Sequence, residues 1–187
     1  MNKGLRILAV IAALWANKAV LSADSPAPTE YEVKGALLYN LTKYVDWPAR
    51  SFSSSNSPMV VAILGLDNFG DDFKRMVDGK TINGRKLVLK RMSWSDDLRS
   101  VHLLFVSASE KKRLPELLEK LRDASVLTVG ENDSFLELGG MINLSKQENR
   151  IRPEINLESV ERSQIKISSK LLSISTVVNG RARERVH

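Results

Sequence analysis

The chain contains no cysteine and only two histidines, His102 and His187, among its 187 residues. Disulfides, thiol nucleophiles and the Cys/His ligand sets of structural zinc sites are thereby set aside. A body of roughly 160 residues buries about 70% of its unfolded surface and needs no covalent staple. His102 lies inside an apolar run with no nucleophile fixed beside it by a motif, so it reads as a hydrogen-bonded interior residue rather than a general base. Ser107, Ser109, Ser168 and Ser169 lack a nucleophile-elbow context. The loop Gly65-Leu66-Asp67-Asn68-Phe69-Gly70 follows a strand and opens a helix, yet it lacks the Gly-x-Gly-x-x-Gly spacing of a dinucleotide loop. Asp67, Asp71 and Asp72 would also repel a phosphate there, and like Asp96-Asp97 they stand where helix starts need capping. No catalytic residue, metal or cofactor is expected.

Long apolar runs are equally scarce. The one at the N-terminus, Ile7 to Ala16, follows Lys3 and Arg6 and leads to small residues around Ser22 and Ala23, the layout of a secretory signal. A spanning helix needs ~20 apolar residues, and this run is broken at Asn17-Lys18. Residues 1–23 are therefore read as a cleaved signal, although Leu21 and Val20 make neither Ala23 nor Ser22 an ideal cut. The basic balance is partly a product of targeting: 28 basic residues face 22 acidic ones, and removal of Lys3, Arg6 and Lys18 leaves 25 against 22. A nucleic-acid interface would need a concentrated basic stripe with aromatic residues interleaved. The tail Arg181, Arg183, Arg185 has no aromatic nearby and reads as a frayed, solvated end, so no nucleic-acid partner is expected.

What remains is a pattern of short buried strands alternating with helices. Thr29 and Glu32 have capping-box spacing, and Val33, Leu37, Leu41, Tyr44 and Val45 form an apolar stripe that Pro48 ends. After a polar linker from Ser51 to Pro58, Met59 to Leu64 is an unbroken apolar run of strand length. An acidic helix follows at Asn68 to Asp78, then an edge-like strand at Lys86 to Arg91 and a buried strand at Val101 to Val106. Leu114, Leu117, Leu118 and Leu121 share one helical face, with Pro115 in its first turn. Val126 to Val129 gives another strand, a short helix opens at Glu131, and a diglycine turn at Gly139-Gly140 feeds the hairpin Met141 to Lys146 and Arg150 to Asn156. Pro153 places the second hairpin strand at an edge. A short helix from Leu157, an extended piece at Ile165 to Ile167 and a terminal helix from Ser169 complete residues 24–187. The alternation predicts one layered α/β domain whose mainly parallel central sheet is flanked by helices and carries a C-terminal antiparallel hairpin.

The stretch Val126-Leu127-Thr128-Val129-Gly130, Phe135, Gly139-Gly140-Met141-Ile142-Asn143 and Glu154-Ile155-Asn156 resembles the signature block of the YfiR-like family, small exported bacterial proteins also catalogued as a domain of unknown function. Four further segments support it in order: Gly35 to Asn40 with Lys43 to Pro48, Gly79 to Arg85, His102 to Ser107, and Ser168 to Leu172. Val101 stands where many relatives have a cysteine, so redox control of that kind is not available to this chain. The resemblance implies a periplasmic protein that represses an inner-membrane diguanylate cyclase by binding its periplasmic portion, lowering cyclic di-GMP and biofilm formation, and that forms homodimers. Candidate partner- or ligand-binding residues are Trp47, Arg85, Glu131, Arg152, Glu154 and Asn156. An exposed Trp47 before Pro48 would serve as an anchor, and Arg85 at a turn would hold a carboxylate. The alternative is a small-molecule sensor or solute-binding module, its ligand in the crevice where Gly65, Ser107 and Gly130 should meet.

Overall fold

Two strands that are apolar at every position set the centre of the fold. In the computed structural model, which describes residues 27–148 and 150–178, β2 (Met59–Leu64) and β5 (Leu103–Val106) are buried throughout and pair in parallel. The segments read as a secretory signal and as a basic tail lie outside the described residues. Outward from that pair, β2 meets β4 (Arg85–Met92), and β5 meets β6 (Leu127–Gly130) and then β7 (Ile142–Gln147), all in parallel. Taken in chain order, these five strands lie 2-1-3-4-5, a doubly wound arrangement whose order reverses between β2 and β5. Antiparallel β3 (Thr81–Ile82) closes one side. On the other, β8 (Arg150–Asn156) folds back on β7, and β10 (Thr176–Val178) adds to β8 in parallel.

Helices cover both faces. Against Val61, Ile63, Phe105 and Val129 lie α1 (Glu30–Tyr44), α2 (Gly70–Val77), α4 (Leu157–Arg162) and α5 (Ser169–Ser173). The opposite face, Val60, Ala62, Leu104 and Val106, packs on α3 (Leu114–Leu121) together with Leu98 and Phe135. Each large apolar side chain buried this way contributes about 1.5–3 kcal/mol. The capping box forms as its spacing predicts: Thr29 Oγ1 accepts from Glu32 N at 3.3 Å and Thr29 N donates to Glu32 Oε2 at 2.6 Å. Helix α1 stops at Tyr44, ahead of Pro48, because β1 (Val45–Asp46) is drawn into an antiparallel pair with β9 (Lys166–Ile167). Pro115 sits in the first turn of α3, behind a 3₁₀ helix at Ala108–Arg113.

Three elements differ from expectation. No helix opens at Glu131; residues 133–139 are successive turns, closed by Phe135 N donating to Asn132 O and Gly140 N to Phe135 O. Gly139, at φ +97°, turns the chain there before a helix can extend. Strand β8 is an edge only in part. Pro153 needs no donor toward the open side, but Glu154 to Asn156 are covered by β10. The terminal helix from Ser169 is only five residues long, and β-branched Thr176, Val177 and Val178 then extend as that covering strand.

Candidate functional site

Strands β2, β5 and β6 deliver Gly65, Ser107 and Glu131 to the carboxyl end of the sheet, where folds of this order hold ligands. Here the protein's own groups take the space. The Glu131 carboxylate, only 4% exposed, accepts from Lys34 Nζ at 2.6 Å, from the Tyr31 hydroxyl at 3.2 Å and from Ala108 N at 2.8 Å. Lys34, on the buried face of α1, also reaches Glu30 Oε1 at 2.5 Å. Burial works to lower the Lys34 pKa, but its bonds to Glu131 and Glu30 outweigh that and hold it above the usual lysine value. The ammonium therefore stays charged inside the protein. Its bond to Glu30 holds that carboxyl below its ordinary range, assisted by Lys146 at 3.2 Å.

The glycines of the Gly130-to-Gly140 block have a packing reason. Phe135 is fully buried between them, and a Cβ would lie 2.3 Å from its ring at Gly130 and 2.2 Å at Gly140. The turn over 133–139 is thereby pinned above the end of β6.

Beside the ion pair, the surface over the β2–β5 switch point is open. Leu66 is 66% exposed, and its amide donates to Ser109 Oγ at 3.0 Å. Trp94 Nε1 donates to Glu110 Oε2 at 2.7 Å, and the Arg113 guanidinium lies 3.4 Å above the Trp94 ring. Sequence reasoning did not single out Leu66, Trp94 or Arg113. The available signals were an apolar residue inside a polar loop and a tryptophan between two serines.

The amino end of the same strands is sealed by aromatic groups. Trp47 is buried at 9% exposure and donates from Nε1 to His102 O at 2.9 Å, so it is not the exposed anchor expected; its indole fills the gap beneath α1 instead. His102 Nδ1 accepts from Val60 N at 3.0 Å, which makes Nε2 the protonated nitrogen, donating to Ser51 O at 3.1 Å. Phe52 stacks on that imidazole at 4.4 Å, and Arg85 stacks on Phe52 at 3.7 Å. Arg85 also donates to the carbonyls of Ser54 at 2.9 Å and Ser57 at 2.8 Å. It is not a free turn guanidinium but a clasp on the 51–58 linker. Burial, helped by the nearby Arg85 charge and opposed by the Ser51 carbonyl, holds His102 below the usual histidine pKa.

The remaining candidates lie on β8. Arg152 is exposed and lines a cavity of about 390 Å³ with Gln147, Glu148 and Arg150. Glu154 accepts from Gln147 Nε2 at 3.4 Å. Asn156 is buried and caps α4, its Oδ1 accepting from Ser159 N at 3.2 Å while Nδ2 donates to Leu136 O at 3.1 Å. The six candidates thus fall in three places: Trp47 and Arg85 at the amino end, Glu131 at the carboxyl end, and Arg152, Glu154 and Asn156 on the hairpin. Among the described residues no group of three or more acids or histidines is placed to hold a metal, and no helix is long and apolar enough to cross a membrane.

Comparison with known families gives a match to the one described as YfiR/HmsC-like, over residues 31–176. The matched span begins in the first turn of α1 and ends in β10, taking in the sheet and both helical layers. The chain therefore belongs to the YfiR/HmsC-like family, regulatory domains known in the control of diguanylate cyclases.

Proposed function

We propose that this protein is a periplasmic regulator that represses an inner-membrane diguanylate cyclase through contact with the cyclase's periplasmic portion. Its action lowers cyclic di-GMP and with it biofilm formation. The observation that carries this reading is the family match over residues 31–176. The site geometry supports it: the crevice that would hold a substrate is taken up by the Lys34–Glu131 ion pair and by Ser109, with Glu131 accepting from Ala108 N and Ser109 Oγ from Leu66 N. A rigid domain so closed acts through its surface. A small-molecule sensor would instead have to displace that buried ion pair, at a cost of several kcal/mol.

Cyclic di-GMP measured in the native host with and without the gene tests the proposal. Deletion raises the level, and the exported protein, but not a version lacking residues 1–23, brings it back down. An unchanged level under several growth conditions would refute the repressor role, and a ligand-induced rise in melting temperature would then favour the sensor.

A further inference from the structure

Residues 51–58 cross the amino end of the sheet between two prolines, Pro48 and Pro58, and pair with no strand. Ser53 to Asn56 are exposed, and Ser53, Ser54 and Ser57 bond to one another. Among the described residues, two side chains from the body of the domain bond this segment: His102, from Nε2 to Ser51 O, and Arg85, to the carbonyls of Ser54 and Ser57. Phe52 is clamped between the same two, with the imidazole at 4.4 Å and the guanidinium at 3.7 Å, distances that leave them opposite faces of the ring. The segment therefore lifts off without breaking a ladder bond once those side chains release it.

The attachment is sensitive to one proton. The neutral ring uses both nitrogens, Nδ1 accepting from Val60 N at 3.0 Å and Nε2 donating to Ser51 O at 3.1 Å. Val60 N is fixed in β2, so a proton on Nδ1 sets two donors against each other. The ring then has to turn away, and its bond to Ser51 and its stack on Phe52 go with it. No carboxylate compensates. Of the charged groups on the surrounding elements, Arg50 is bonded to Gln164 and Ser125, Asp46 lies opposite Lys166 in the β1–β9 pair, Asp97 accepts from Arg99 N, and Arg85 stands across Phe52. A charged imidazole would put cations on both faces of Phe52. Burial holds the closed-state ring below the ordinary histidine pKa, so the released form takes the proton more readily. Ser51 Oγ adds to the bias: it is buried with no hydrogen-bond partner among the described residues, a penalty that release to water removes.

We propose that residues 51–58 form a latch pinned by neutral His102, and that a proton on Nδ1 releases it, uncovering Trp47 and the ring of Phe52. The device belongs to the amino end of the sheet and does not rest on the regulatory role proposed above. By linkage, opening becomes about 10-fold more favourable per pH unit between the open-state pKa, about 6.5, and the lower closed-state value.

A chain without cysteine accepts a single thiol as reporter. Ser51→Cys places one where the serine hydroxyl is buried, and Ser55→Cys places one on the exposed part of the segment. Each purified protein is reacted with dithiodipyridine, a disulfide reagent that works in mild acid, and the ratio of the two rates reads opening free of the reagent's own pH dependence. Between about pH 7 and 5 the ratio rises about 10-fold. Far-UV circular dichroism stays unchanged over that range, and the rise follows the His102 imidazole signal in the NMR spectrum. Adding His102→Gln, which keeps an acceptor and a donor without a titrating ring, makes the ratio independent of pH. It is low if the amide reproduces both bonds and high if it does not, and either flat result sustains the pin. A ratio that rises equally with His102→Gln in place, or that stays flat while the imidazole of the unaltered ring titrates, overturns the latch. So does a ring that remains neutral until the circular dichroism is lost.

Discussion

The two ends of the central sheet solve the same problem with opposite chemistry. At the carboxyl end, β6 stops on a buried carboxylate, and the space is filled by the Lys34–Glu131 ion pair with Tyr31 and Ala108 as supporting donors. At the amino end, a neutral stack of Trp47, His102 and Phe52 does the filling, with Arg85 outside it as a clasp. A buried charge pair is costly to break and cheap to replace whole. A neutral hydrogen-bonded stack is cheap to trim but sensitive to any proton it must accept. The first end should fail through mutation, the second through pH.

The largest effect is expected at the ion pair. Lys34→Met strands the Glu131 carboxylate in the interior and should cost about 3–5 kcal/mol, read from the midpoint of urea unfolding. Adding Glu131→Leu should restore most of that loss, since an apolar pair of similar volume is often neutral or better. A double variant no more stable than Lys34→Met would show that the carboxylate was not the burden. Next comes the packing that holds the turn above β6. Gly140→Ala puts a methyl within 2.2 Å of the Phe135 ring and 2.7 Å of its carbonyl, an overpacking expected to cost about 1–3 kcal/mol. Phe135→Leu in the same chain should recover part of it, and strict additivity of the two losses would break the steric explanation.

How much of this could be read from the sequence follows the same division. Met59 to Leu64 and Leu103 to Val106 were legible because unbroken apolar runs of strand length have few other solutions, and Thr29 with Glu32 because the capping box is local. Lys34 was not, since it looks like a wet-face residue until Glu131, 97 positions away, arrives beside it. Of the helical stripe read as Val33, Leu37, Leu41, Tyr44 and Val45, Leu41 and Val45 are buried as expected. The buried face is turned so that Lys34, Gly35, Leu38 and Thr42 join them, while Val33, Leu37 and Tyr44 are only half-buried. Strand β10 is too short for a period to show. Trp47 and Arg85 carried the right chemistry for binding, but their partners are the carbonyls of His102, Ser54 and Ser57, and carbonyls leave no mark on a sequence. Leu66 was overlooked for the converse reason: its exposure is set by the backbone angle of Gly65 and by the bond of its amide to Ser109, 43 positions away, neither of which a residue-type pattern records.

At the amino end the losses are smaller. Trp47→Phe removes the Nε1 bond to His102 O, but that carbonyl still accepts from Leu127 N at 2.8 Å, so the hydrogen-bond cost should stay near about 1 kcal/mol. A far larger loss would mean that the indole, rather than the bond, closes this end.

The smallest effect is a pH response belonging to His102. In the folded state Nδ1 must accept from Val60 N, so a second ring proton would set two donors against each other, and burial already holds the pKa below the usual value of 6.5. The unfolded chain then binds the proton more readily, and stability falls as pH drops. The contribution is complete above about pH 6.5 and is lost as pH falls through the lower folded value. His102→Gln keeps an acceptor and a donor on one side chain without a titrating ring. The variant should be less stable near neutrality yet show a flatter stability curve between about pH 7 and 5. Glu30 and Asp78, both held below their ordinary carboxyl values, lose their contributions only at more acidic pH, so the two responses separate. Parallel curves for wild type and variant over that window would assign the mild-acid response elsewhere and remove the difference in pH sensitivity between the two ends.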